Sequence, residues 1–219
     1  ALDRVFTMLG SDFFALGFMP RLATLLRLEA PRVRLRLLDS ARGDVARSLQ
    51  DSAVDMALEA PMSTPDWVSS ELLFTSPFAV AVVQDHPAIA GLPEKSEFPM
   101  ELFCRLDHVL RSIDGGMTGA TDAALALIGR ARHVTMTLPT FHAVAQAVAE
   151  GHHIAVLPVQ YVRAVKAGLG LAEFLPPLPI AVPGVRLYWH SRNDGDAAHR
   201  WMRGKVMQIV DALGYRDHH

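Results

Sequence analysis

The chain has 219 residues, half of them apolar and 20% charged, with a net charge of −2. That length holds one large domain or two small ones, and the slightly acidic balance excludes the strongly basic surface of a nucleic-acid-binding domain. A single cysteine, Cys104, excludes an internal disulfide and a cysteine-based metal site, and no apolar run reaches the roughly 20 residues of a membrane span.

The chain opens on Ala1-Leu2-Asp3-Arg4 without an initiator methionine, as a fragment cut at a domain boundary or a processed form would. Val5 to Leu9 is an apolar run of strand length that meets Ser11 and Asp12, residue types that start helices. A strand that turns directly into a helix leaves N–H groups at the corner, and with the positive end of the helix dipole they suit an anion. Pro20 is expected to open a helix whose stripe is Leu22, Leu25 and Leu26, ended by Ala30-Pro31. A strand follows, with Val33, Leu35 and Leu37 on one face and Arg34 and Arg36 on the other. The arginines read as a solvated face, with an anion site as the alternative.

Asp39 to Gly43, which contains Ser40, is a turn into a helix buried through Val45, Ala46 and Leu49. Val54 to Leu58 is then a strand with Asp55 inside it. The order so far is β-α-β-α-β, which implies parallel strands and right-handed crossovers. Glu71 to Val83 is extended and is broken at Ser76-Pro77, where the chain is expected to cross into a second lobe.

Asp85-His86-Pro87 is a turn, Met100 to Cys104 one turn of helix, and Asp107 to Ser112 a strand. The glycine-rich loop that follows lacks the ending of a phosphate loop. A helix over Ala120 to Ile128 stops at Gly129, and His133 to Thr137 is a strand. Thr140 caps a helix over Phe141 to Glu150. His153 to Leu157 is a strand, and Val159 to Ala167 is a helix ended by Gly168. Leu171 to Phe174 is a strand, and Pro176, Pro177 and Pro179 mark the return crossing. The last pair is a strand over Val185 to His190 and a helix over Ala197 to Leu213, with Trp201, Val206, Ile209 and Val210 as its core. The expected organisation is α/β, with 1–75 plus 180–219 as one subdomain and 76–179 as the other.

No specific catalytic set is present: there is no His-Glu-x-x-His, Cys-x-x-Cys or Gly-x-Ser-x-Gly. The adjacent His152 and His153 would point to opposite faces of a strand, which argues against a metal site. Cys104 reads as a buried thiol, and His108 as either a core histidine or a site residue. What recurs is a polar corner after a strand, at Ser11, Ser40 and Thr140. Such corners suit a small-ligand cleft, at strand ends or between lobes.

These stretches are similar to the effector-binding domain of LysR-type transcriptional regulators. The likeness is carried by Ser11-Asp12 after an apolar strand, Phe18-Met19-Pro20-Arg21-Leu22, Ala30-Pro31-x-Val33 and Asp85-His86-Pro87. His108-Val109, Leu138-Pro139-Thr140-Phe141, Tyr188-Trp189-His190-x-Arg192 and Trp201-Met202-Arg203 extend it over nearly the whole chain. Within the family the chain resembles the nodulation-regulator and salicylate-sensor branch. The resemblance implies two Rossmann-like subdomains with a ligand cleft between them, of the type 2 periplasmic-binding-protein kind.

By position, it implies an effector site of Ser11, Asp12, Phe13, His108, Thr140, Phe141 and Trp189, with His190 or Arg192 as a donor, and the polar corner at Ser40 is added to that expected set. Thr140 stands where salicylate-type sensors tend to have a histidine. The ligand expected is a small organic acid, aromatic in kind, with no cofactor, no metal and no membrane partner. The single cysteine reads most simply as a cytoplasmic home, with the periplasm as the alternative, and the resemblance implies homodimers of this domain and tetramers of the full-length protein. DNA would be bound through an N-terminal winged helix-turn-helix that this stretch does not contain. A solute-binding protein of a transport system is the alternative, and an enzyme on the same scaffold a third reading.

Overall fold

The computed structural model describes residues 2–40 and 43–217, so Ala41 and Arg42 of the expected turn lie outside the described residues. In chain order the first elements are β1 (Val5–Gly10), α1 (Asp12–Leu16), α2 (Phe18–Glu29), β2 (Arg34–Asp39), α3 (Val45–Gln50), β3 (Met56–Glu59), β4 (Val68–Thr75) and β5 (Phe78–Val83). Then follow α4 (Met100–Arg105), β6 (Asp107–Arg111), α5 (Ala120–Leu127), β7 (His133–Leu138), α6 (Phe141–Glu150), β8 (Ala155–Pro158), α7 (Val159–Leu169), β9 (Leu171–Phe174), β10 (Gly184–His190) and α8 (Ala197–Ala212). The chain separates into two compact units, Ala1–Thr75 with Pro183–His219, and Ser76–Val182.

The first unit is a sheet in the order β2-β1-β3-β10-β4. β1 runs parallel to β2 and β3, and β10 runs antiparallel to β3 and β4. One crossover leads from β1 to β2 at the edge and the next returns from β2 to β3, so right-handed connections place α2 and α3 on opposite faces. Side chains divide accordingly. Leu9 joins Leu49 of α3, Val54, Ala57 and Tyr188 in one cluster. Phe6 and Met8, one step off Leu9 in the strand, point to the other face and are wholly buried. There α2 packs against α8, with Leu22, Leu26, Val206 and Val210 buried. An aromatic group of Phe13, Phe14, Phe74 and Tyr215 closes one end, with Phe74 and Tyr215 ring centroids 5.0 Å apart. Each such buried ring contributes about 1.5–3 kcal/mol.

The second unit repeats the pattern. β6 and β7 are parallel. Ile154, just before β8, bridges to β6: its N–H donates to Asp107 O (2.9 Å) and its carbonyl accepts from Val109 N–H (3.0 Å). β8 runs antiparallel to β5, and β5 antiparallel to β9. The order β7-β6-β8-β5-β9 thus has the same directions as β2-β1-β3-β10-β4. Its core is Val80, Val82, Phe98, Phe103, Leu125, Ile154 and Phe174.

Several expectations need correction. α2 starts at Phe18 and not at Pro20, because the first helical N–H groups have no intrahelical acceptor and a proline inside the first turn loses nothing. β3 starts after Asp55, not before it. The Asp55 carboxylate accepts from Thr7 N–H (2.7 Å) and from the Arg4 guanidinium (2.6 Å), taking the place of a ladder bond. β8 likewise begins at Ala155, with the preceding residue spent on the bridge to β6. α7 runs through Gly168 and stops at Gly170, which alone of the two adopts a left-handed conformation (φ 63°) and closes the helix through its N–H to Lys166 O. On α8 it is His199, and not Trp201, that is fully buried. Trp201 is half-exposed under the Lys205 ammonium.

Candidate functional site

In a doubly wound sheet the switch point lies where successive crossovers leave in opposite directions, at the carboxyl ends of the strands. In the first unit that is the end of β1, between β2 and β3. The chain turns there through Gly10 and Ser11 into α1. A β-carbon on Gly10 would lie 3.2 Å from the Phe14 ring, a tight contact that glycine avoids where α1 closes over the strand end. Ser11 is the N-cap residue, extended at φ −76°, ψ 171°, and its carbonyl accepts from Phe14 N–H (3.1 Å). Its hydroxyl caps nothing and the residue is half-buried. Asp12 follows in the first turn and puts a carboxylate at the positive end of that short helix. Ser40, half-buried, sits just past the end of β2.

In the second unit the corresponding corner is the end of β6. Arg111 is its last residue and lies opposite Leu138, the last residue of β7. Thr140 then caps α6 through its Oγ1, which accepts from Ala143 N–H at 3.1 Å. Phe141 opens α6. The Arg111 guanidinium lies over its ring, 4.4 Å from the centroid, and the Tyr161 ring is 5.5 Å away. Arg111 Nε is buried without a hydrogen-bond partner. Arg111 was not singled out from the sequence. The available signal was a lone cation ending a strand on the edge from which Thr140 and Phe141 start.

Other expected site residues belong to the core or to turns. Phe13 is buried and stacked on Phe74 (5.9 Å), where it helps to hold the first unit together. His108 is wholly buried. Its Nε2–H donates to Phe103 O (2.7 Å), its Nδ1 accepts from Arg132 (3.3 Å), and its ring meets Phe103 edge-on. Burial above all, with the Arg132 guanidinium beside it, brings its pKa down to about 4, so it is a neutral core histidine.

Trp189 is buried too, its Nε1–H donated to Asp194 (2.6 Å) and its face covered by Arg203 at 4.4 Å. His190 caps a short turn by accepting from Arg192 N–H (3.2 Å) and lies against Trp67 (4.6 Å). Arg192 is spent on the end of α3, donating to Leu49 O, Gln50 O and Ser52 Oγ. Two corners thus carry expected site residues at the ends of parallel strands: Ser11 and Asp12 in one unit, and Thr140 and Phe141, with Arg111 over the Phe141 ring, in the other.

Histidines 152 and 153 do not act together. The His152 carbonyl accepts from His86, and His153 Nε2 meets Thr135 Oγ1 at 3.1 Å. Among the described residues no group of three or more His, Cys, Asp or Glu could hold a metal ion. No helix among them is long and apolar enough to cross a membrane. Cys104 is half-buried beside Met100 Sδ (3.8 Å), and burial pushes its thiol pKa up. Two surface depressions, of about 440 Å3 beside Phe74 and Arg216 and about 370 Å3 beside Asp122 and Arg130, contain none of the expected site residues.

The chain matches the LysR substrate binding domain family over residues 3–208. It is 23% identical over 207 residues to the HTH-type transcriptional activator NahR of Pseudomonas putida, an alignment covering 94% of this chain and 67% of NahR. A probable transcriptional regulator of solved structure from Pseudomonas aeruginosa is 28% identical, with a TM-score of 0.79 over 93% of this chain and 65% of that one. The effector-binding domain of BenM, solved with its effector benzoate, matches with a TM-score of 0.75 at 14% identity, over 99% of this chain and 96% of that one. The fold is thus the α/β, type 2 periplasmic-binding-protein-like one. The chain spans about two thirds of the length of the two regulators first named.

Proposed function

The chain belongs to the LysR substrate-binding domain family, and we propose that it is the inducer-sensing part of a LysR-type transcriptional regulator that recognises a small aromatic acid. In this reading it works in the cytoplasm as a homodimer, within a tetrameric full-length protein that reaches DNA through a separate N-terminal domain. It binds and does not catalyse, in keeping with relatives that are named as regulators.

The observation that carries the reading is the chemistry at the carboxyl ends of the parallel strands. Ser11 offers an uncommitted hydroxyl after β1, and Arg111, Thr140 and Phe141 gather a cation, a capped helix start and an aromatic ring after β6 and β7. An aromatic acid has the complementary parts: a ring for apolar contact and a carboxylate for donors. The benzoate bound by BenM is of that class. A ligand controls such a protein only by binding two of its states with different affinity.

Isothermal calorimetry with a panel of benzoates and phenols tests the reading. A benzoate is expected to bind at about micromolar Kd, near −8 kcal/mol. Ser11→Ala, which removes one neutral hydrogen bond, is expected to weaken it by about 2- to 10-fold. No binding anywhere in the panel would reject the aromatic-acid reading, and unchanged affinity in Ser11→Ala would take Ser11 out of the site.

A further inference from the structure

We propose that Arg111 is the group that recognises the ligand's negative charge, so that the second unit supplies the carboxylate contact through a guanidinium stacked on Phe141. The inference rests on the organic-acid reading above and adds to it the residue that makes an acid, rather than a neutral aromatic, the ligand.

The argument starts from what Arg111 lacks. An arginine is charged at any pH that proteins tolerate and carries five N–H donors. Among the described residues no carboxylate pairs with Arg111, and its Nε is buried with no acceptor. Arg132 of the same unit, its side chain 1% exposed, is by contrast paired with Asp122 (2.7 Å). A buried guanidinium nitrogen without an acceptor carries a desolvation cost that the ring of Phe141 offsets only in part. That cost is expected where an anion is to be received.

Position adds a second reason. Arg111 is the last residue of β6, in register with the last residue of β7, at the switch point of its sheet. The start of α6, capped by Thr140, lies on the same edge and adds the positive end of a 10-residue helix. The corner of the first unit is less suited to an anion, since the Asp12 carboxylate already occupies the start of α1. The Phe141 ring, its centroid 4.4 Å from the guanidinium carbon, restrains the side chain, and a guanidinium fork matches a carboxylate in a bidentate contact.

The test compares benzoate with benzamide, its neutral analogue, by calorimetry on the wild-type chain and on Arg111→Gln and Arg111→Lys. The wild type is expected to prefer benzoate. Arg111→Gln is expected to lose about 10- to 100-fold in benzoate affinity and little for benzamide, erasing the preference. Arg111→Lys keeps the charge without the fork and is expected to fall between them. Should Arg111→Gln fail to fold, the same comparison on Arg111→Lys decides. Benzoate binding with an unchanged benzoate-to-benzamide ratio in the variants overturns the role of Arg111 and leaves the sensing reading intact. Wild-type binding of neither compound, nor of any other acid in the panel, overturns both.

Discussion

Each of the two units buries one histidine between a guanidinium and a backbone carbonyl, and the two surround it differently. In the second unit His108 lies on β6, donates to Phe103 O and accepts from Arg132. Arg132 is itself held by two hydrogen bonds to Asp122, at 2.9 and 2.7 Å. In the first unit His199 lies on α8, donates to Asp55 O (3.0 Å) and accepts from Arg203 (2.7 Å). Among the described residues Arg203 has no direct carboxylate contact of that kind; it covers the Trp189 ring and donates to Asn193 O. One unit answers a buried cation with a charge and the other with an aromatic face. The first answer is strong and fails badly when half of it is removed. The second is weaker, and its loss leaves no orphaned charge.

The largest way to break this comparison is Asp122→Ala. The Arg132 side chain is 1% exposed, so it would be left as an unpaired buried charge. Urea unfolding is expected to show a loss of about 3–5 kcal/mol. A loss under about 1 kcal/mol would mean that the pair is not what holds this part of the second unit.

The next test is acid. In the unfolded chain a histidine takes up a proton near pH 6.5, whereas His108 stays neutral down to about 4, chiefly because it is buried. Between those values the unfolded state binds more protons, so stability rises with pH through that window and falls as the pH drops through it. The His108 share is about 3 kcal/mol. His199 is shifted in the same direction, again by burial first. Chemical unfolding of His108→Gln at a series of pH values should show a shallower acid limb than wild type. An unchanged limb would assign the acid sensitivity to other groups.

The finest test sets the two corners against each other. Thr140 accepts a hydrogen bond from the third residue of its helix and Ser11 caps nothing. Thermal unfolding of Thr140→Ala should cost about 1 kcal/mol, and that of Ser11→Ala less than about 0.5 kcal/mol. Equal costs would remove the distinction between a structural threonine and a serine left for ligand.

Most strands were legible because a buried strand declares itself by an apolar run bounded by turn residues, as Val5 to Leu9 and Phe78 to Val83 do. Boundaries failed where a side chain or a bridge replaced a backbone partner, as at Asp55, or where two glycines offered a stop and only Gly170 took the left-handed conformation. The candidate site was harder to read. Sequence shows residue type and local position, so Ser11 and Thr140 could be placed at helix starts. It does not show whether a histidine in a strand is enclosed: His108 turned on the carbonyl of Phe103 and on Arg132, 24 residues downstream. Arg111 escaped notice for the same reason, because its meaning lies in the acceptor it lacks and the ring it covers.

The place of β10 in its sheet orders events during synthesis. It inserts between β3 and β4, and Arg192 just beyond it ties down the end of α3, more than a hundred residues earlier in the chain. The ribosome therefore releases residues 1–75 long before they can complete their sheet, while the contiguous stretch Ser76–Val182 can finish its own first. Until the closing strand emerges, β3 presents a bare edge and β4 lacks its partner strand, and this nascent stage is when the chain is most exposed to mispairing with its neighbours.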